Sequence, residues 1–272
     1  MYILPFVVYL IAGALYAAHF SGRSLAVGRT ATTLLIFGAL AHTFVFWMLT
    51  VEGGHVPFAG TTQAISAFVL LLALSYLYVE ITTDEHAMGV FIVALLVVLQ
   101  AIPAFRPEAA GTVAPVLMSG WFGVHVSSLL FAYASFALAC VIGITYVLLF
   151  KEIKAKHLGV FYARLPSLET LDKMNARAVT VGWIFLTLGV AVGGIWVSGA
   201  DATDPRVQAM SIQDPKIFTA LVCWAVYSFE LYAQRAIGWR GRRAAWLSAL
   251  GFVIVLLNFL PVSYFFTESH NF

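Results

Sequence analysis

Eight uninterrupted apolar runs constrain this chain more than any motif it carries. They fall at about 3–20, 31–50, 62–81, 88–105, 121–150, 178–199, 216–234 and 245–266. About 20 apolar residues carry a helix across a bilayer core. Eight such segments absorb most of a 272-residue chain and leave only short connections. The runs do not alternate apolar and polar residues, as transmembrane β-strands do. The expected fold is therefore all-α: a polytopic membrane protein with eight transmembrane helices, forming a single domain over 1–272. The composition agrees, with 61% hydrophobic and 10% charged residues. Soluble domains carry about 45–50% and about 25%. A soluble globular enzyme, a disordered chain and a nucleic-acid binder are excluded. The fifth run, at about 1.5 Å per residue, reaches roughly 45 Å, so it must tilt or project beyond the bilayer. The N-terminus MYILPFVVYL lacks a basic region and a small-residue cleavage site, and reads as the start of the first span. No internal repeat is visible, which weakens a transporter built from inverted repeats.

The few charges set the orientation. Arg23, Arg29, Lys151, Lys154, Lys156, Arg164, Lys173, Arg177, Arg235, Arg240, Arg242 and Arg243 fall in the odd-numbered connections. Only Arg106, Arg206 and Lys216 fall in the even ones. The positive-inside rule places the odd connections in the cytoplasm and both termini outside. The chain is then expected to be multi-pass in the cytoplasmic (inner) membrane, in contact with membrane lipid.

Ionisable residues within or at the edge of a membrane are costly, so each raises a functional question. On this topology His125 lies just inside the outer end of span five and His270 lies outside, near the C-terminus. His55 also lies outside, in the second connection. His42 falls near the middle of span two. His19 and His86 stand at the cytoplasmic ends of spans one and three, and His157 in the large basic loop. Two histidines at one membrane level on different helices can hold a haem iron from both faces. His125 and His270 form such a pair by expected depth, and aromatic residues accompany both, including Trp121, Phe122, Tyr264 and Phe272. Interfacial histidines without a ligand, within an ordinary aromatic belt, are the other reading. For His42 the two readings are a hydrogen bond to a neighbouring helix and a secondary haem or proton-relay site.

Other features read more simply. Residues 151–177 form the largest inner connection, either a solvated basic loop facing lipid headgroups or a docking surface. Ser167–Leu171, after Pro166, can start a short amphipathic segment. Asp214 before Pro215 favours a turn and can cap the next helix. Lys216 can pair with an acidic group, a ligand carboxylate included. Gly189 and Gly193 form a small-xxx-small pair that permits close helix approach, a packing feature. Glu80 and Glu230, near the inner ends of spans three and seven, are expected to snorkel or pair with basic residues. Cys140 and Cys223 are expected to be buried packing residues.

Taken in order along the chain, several pieces resemble the cytochrome c assembly family, in its CcsA/HemX-like branch. Leu165-Pro166-Ser167-Leu168-Glu169-Thr170-Leu171-Asp172-Lys173, followed by Gly182 and Leu186-Thr187-Leu188-Gly189, resembles that family's LPSLExLD…GxxxLTLG run. Trp121…His125-Val126-Ser127 is similar to its WxxxHVS element, and Asp214-Pro215-Lys216 to its DPK. Gly238–Ala245 resembles its GWRGRRAA inner loop, and His270 stands where the family has a histidine ending its last span. The resemblance implies eight spans and an outer-face haem site, with b-type, non-covalently bound haem. It implies that His125 and His270 are the axial ligands, and places Trp121, Trp196, Asp214 and Lys216 around the pocket, with His42 as a secondary site. The implied partner is a second membrane protein of haem delivery or cytochrome c assembly, with apocytochrome c as acceptor.

The sequence also departs from the pattern. The tryptophan-rich WGxxWxWDPKE loop of the assembly enzymes survives as Trp196 and Asp214-Pro215-Lys216, with Ser211-Ile212-Gln213 before the acid. Tyr232 stands where those enzymes carry a span-seven histidine. These departures bring the chain nearer to HemX-like members, whose implied role is regulation or scaffolding of a cytoplasmic haem-synthesis enzyme. No catalytic nucleophile or acid–base pair is evident. The leading expectation is haem binding and trafficking in cytochrome c assembly.

Overall fold

A computed structural model describes residues 1–58, 60–106, 118–156, 159–199 and 215–257. The side chains of 199, 215 and 216 are outside that description, as are Asp214 and His270 entirely. The helices are α1 (Ile3–Gly22), α2 (Leu25–Gly53), α3 (Thr61–Thr83), α4 (Gly89–Phe105), α5 (Gly120–Lys154), α6 (Val160–Arg164), α7 (Leu168–Gly199), α8 (Pro215–Tyr232) and α9 (Arg242–Leu257). A single π turn, Ala233–Ile237, ends α8. Among the described residues there is no strand. Among the described residues six helices are long and apolar enough to cross a membrane; α4, at 17 residues, is a shorter apolar helix. The molecule is a polytopic helical membrane protein.

Turn chemistry sets several boundaries. Ser24 caps α2 by accepting from Val27 N. Arg23 and Asp84 adopt the left-handed conformation that closes α1 and α3. Ser167 Oγ accepts from Thr170 N at 3.1 Å and starts α7. That start lies ten residues before the expected apolar run. Residues 168–177 are therefore neither a loop nor a short separate segment. They are the first turns of one 32-residue helix, with Leu171 and Met174 fully buried and Asn175 nearly so. Of its basic residues, Lys173 is exposed on a helix whose other face packs into the bundle.

Two groups of helices are joined at the centre. In the first, α1 packs between α2 and α4, and α3 lies on α4 and α2. In the second, α5 packs along α7 and α9, and α9 on α8. The α3–α5 contact joins the groups. There the fully buried Ser75 and Ser135 hydroxyls meet at 2.9 Å. At the α5–α9 crossing, Gly143 brings the backbones together: a Cβ there would sit 2.7 Å from the Ala245 carbonyl oxygen.

Buried acids anchor both groups at the end that carries Arg23 and Lys151, here the basic end. Neither acid snorkels. Glu80 is fully buried and accepts from Tyr16 Oη at 2.6 Å and Thr32 Oγ1 at 2.7 Å, with His86 Nδ1 at 2.7 Å. Glu230 is fully buried too. Its Oε1 accepts from Ser248 Oγ at 2.5 Å and Gln234 Nε2 at 3.1 Å. Ser248 also reaches Asn175, which donates to the Ala139 carbonyl at 2.9 Å. That network links α5, α7, α8 and α9. Cys223 is buried and Cys140 half-buried, and both are free thiols.

Two predictions follow from this packing. Gly143→Ala forces α5 and α9 apart and is expected to cost about 1–3 kcal/mol, as overpacking does; unfolding in mixed micelles measures it. The hydrogen bond to Glu80 raises the His86 pKa above its ordinary value. The pair's stabilisation is thus complete below about pH 6.5 and is lost as pH rises through the raised value. Melting temperature is expected to fall across that window in the wild type and to stay flat in Glu80→Gln.

Candidate functional site

At the opposite end of the bundle, α5 begins at Gly120 and carries His125 in its second turn. The His125 ring is half-buried against α7. Its Nδ1 lies 2.7 Å from the Gly189 carbonyl oxygen. A carbonyl only accepts, so Nδ1 carries the proton and donates. The Nε2 lone pair is then the free one. Ligating histidines characteristically show this arrangement, with the second nitrogen donating to a carbonyl or carboxylate that fixes tautomer and orientation.

Two further α7 residues shape the seat. A Cβ at Gly193 would come within 2.5 Å of His125 Cε1 and 2.6 Å of Nδ1, so only glycine leaves room for this imidazole. Trp196 is buried and lies nearly parallel to the His125 ring, with centroids 6.2 Å apart at 26°. Phe122 also meets Trp196, with ring centroids 5.4 Å apart. The α2–α3 connection also reaches this end, where Val56 packs on Gly123. His55 is held there by its own connection, with Nδ1 3.1 Å from the Val56 carbonyl oxygen.

The structure brings together His125 and Trp196 from the expected set. Trp121 lies one helical turn before His125 on the same helix and is 54% exposed. His270 and Asp214 lie outside the described residues, and of Lys216 only the backbone, in the first turn of α8, is described. Tyr232, which stands in place of a span-seven histidine, is exposed at the end of α8.

His42 is a different kind of histidine. It is fully buried, and both ring nitrogens are engaged, Nδ1 with Tyr9 Oη at 3.1 Å and Nε2 with Ser66 Oγ at 2.8 Å. Ser66 continues to Gln100 Oε1 at 3.3 Å. In this arrangement neither nitrogen is free to meet iron. Of its two readings, the geometry matches the hydrogen bond between helices.

Gly189 and Gly193 exceed the packing role their spacing suggests. Their four-residue step puts both on one face of α7, and the same imidazole uses the carbonyl of one and the missing side chain of the other. The spacing was visible in sequence, but the facing residue was not. Among the described residues, no group of three His, Cys, Asp or Glu side chains converges to cage a metal ion.

Comparison with known proteins gives the family. Residues 30–270 match the family described as cytochrome C assembly protein. The chain is 27% identical over 257 residues to a cytochrome c biogenesis protein CcsA of Guillardia theta, covering 87% of this chain and 83% of that one. It is 26% identical over 254 residues to the CcsA of Chlorella vulgaris, with 82% and 79% covered. Against the CcsA of Parasynechococcus marenigrum it is 24% identical over 249 residues, with 81% and 79% covered. The matched stretch includes His125, its α7 seat and every helix from α3 to α9, and the chain belongs to the cytochrome c assembly protein family.

Proposed function

We propose that this protein handles haem for cytochrome c biogenesis, and that His125 would hold the haem iron at the end of the bundle opposite the basic end. The observation that carries this reading is the His125 imidazole itself. Its Nδ1 proton is committed to Gly189, its Nε2 lone pair is free, and Trp196 lies beside it. The names of the CcsA relatives supply the process. Tetrapyrrole-bound iron needs few ligands from protein, which agrees with a lone well-seated histidine on α5 and the absence of a protein metal cage among the described residues.

In this reading His270 would be the second histidine to hold the iron, and Trp121, Asp214 and Lys216 would border the pocket. His42 serves the bundle as a hydrogen-bonded hub. Adding α4 and α9 to the six long helices gives eight spans. The sorted basic residues then put the basic end in the cytoplasm and the His125 end outside, in the cytoplasmic membrane. The whole chain acts as one domain. Haem is bound non-covalently, and the partners are a second membrane protein and apocytochrome c. When bound, haem supplies the electrophilic vinyl groups that cytochrome c thiols consume. The protein's own part is to hold the imidazole in one tautomer, present a flat aromatic wall and keep the pocket at the membrane edge.

Purified protein is expected to carry haem with the absorption of six-coordinate, low-spin iron. His125→Ala is expected to lose most of it while circular dichroism keeps its helical signal. A haem-free wild type, or an unchanged spectrum in the variant, overturns the reading. Gly193→Ala should displace the ring and lower the haem-to-protein ratio roughly tenfold, in the range for losing a ligand's support. Gly194→Ala is the control, because a Cβ there meets open space, and it should bind as wild type does.

A further inference from the structure

A second pair of histidines meets at the basic end, far along the bundle from His125. His19 lies in the last turn of α1, and His86 in the connection just before α4. Both are more than nine-tenths buried. Their rings touch, with centroids 5.7 Å apart and planes at 88°. We propose that His19 and His86 bind a divalent first-row transition-metal ion through their two Nε2 atoms, with water completing its shell.

The hydrogen bonds assign the lone pairs. His19 Nδ1 is 2.9 Å from the Ser24 carbonyl oxygen, so it donates there. His86 Nδ1 is 2.7 Å from Glu80 Oε1 and 3.1 Å from Thr32 Oγ1. In the neutral rings this leaves Nε2 as the acceptor on both histidines, and no described group takes it. A carboxylate behind one imidazole and a carbonyl behind the other are the outer-shell partners found around ligating histidines. Glu80 is itself fixed by Tyr16 and Thr32, so the support for His86 is rigid.

The α2 backbone packs closely against the pair. Gly28 of α2 faces both rings: a Cβ there would lie 3.0 Å from His86 Cδ2, 3.0 Å from His19 Nδ1 and 3.1 Å from His19 Cε1. The two rings thus pack, nearly perpendicular to each other, against the same stretch of α2 backbone, which holds them side by side.

The local charge favours a cation. The α3–α4 connection holds Asp84 and Glu85, and it carries no Lys or Arg although it is an odd-numbered connection. Both acids act on His86, as Glu80 does. The facing cations, Arg23 and Arg29, are exposed on α2 and its preceding turn, where water screens them. Imidazole nitrogen suits zinc, cobalt, nickel and copper ions rather than magnesium or calcium. An ion held here fastens the end of α1 to the start of α4.

The test uses the full-length protein, purified without a polyhistidine tag, stripped with chelator and titrated with cobalt(II). Dialysis with metal analysis and visible absorption are expected to report one ion per chain, and the ion should raise the melting temperature. His19→Gln and His86→Gln should each weaken binding at least tenfold, and Gly28→Ala should weaken it by crowding both rings. His19→Gln is the safer variant, because the native ring gives up only one bond to a backbone carbonyl. His125→Ala should bind cobalt as wild type does, and His19→Gln should keep its haem content, so failure of either site is seen separately. No cobalt binding, or undiminished binding in the double His19→Gln, His86→Gln variant, overturns the proposal.

Discussion

Inside a bilayer a buried polar side chain has no water to turn to, so each one commits two or more helices to each other. This bundle is built on such commitments. His42 ties α2 to α1 through Tyr9 and to α3 through Ser66, and Gln100 extends the chain to α4. Glu80 gathers α1, α2, α3 and the start of α4 around one carboxyl group. Ser75 and Ser135 connect the two halves. Asn175, Ser248 and Glu230 do for the second half what Glu80 does for the first. A hydrogen bond between membrane helices is worth only about 0.6 kcal/mol on average. Its larger effect is to forbid other registers, because a slipped helix would strand a polar group in hydrocarbon.

The candidate site uses this logic with one difference. On α7 the Gly189 carbonyl already serves its own helix ladder, and its second lone pair takes the His125 proton. Gly193, one turn on, lets the ring approach closely enough for that bond to form. Close packing of α5 on α7 and orientation of the imidazole are thus one event. A larger residue at either glycine would disturb both. Trp196, a further turn along, extends the same face of α7 beside the ring.

How legible this was in the sequence depended on whether a feature was local. The membrane class and every apolar helix could be read from continuous hydrophobicity, because span length is a one-dimensional property. The start of α7 could not, since Leu168–Arg177 is polar enough to read as a loop. Only the tertiary burial of Leu171 and Met174 reveals that the helix continues through it. His125 and Trp196 stood out in the sequence by the WxxxHVS context and the loop pattern, and the structure brings their two rings together. The seat under His125 was not, because Gly189 and Gly193 lie 64 and 68 residues away on another helix. Glu80 and Glu230 look alike in sequence to acids that snorkel, and only the donors converging from other helices explain their burial.

The same local rule separates the histidines by task, and depth alone does not. At His42 both nitrogens have partners, so the ring can only tie helices together. At His125, His19 and His86 the Nδ1 side is committed to a carbonyl or carboxylate oxygen, which leaves Nε2 as the basic atom. Those three differ in what stands opposite. His125 has the aromatic ring of Trp196 beside it, the surrounding that the proposed haem would need. His19 and His86 face each other beside acidic residues, which suits a bare ion that needs two nitrogens and compensating charge. At both ends of the bundle a glycine on the neighbouring helix lets the rings approach its backbone closely.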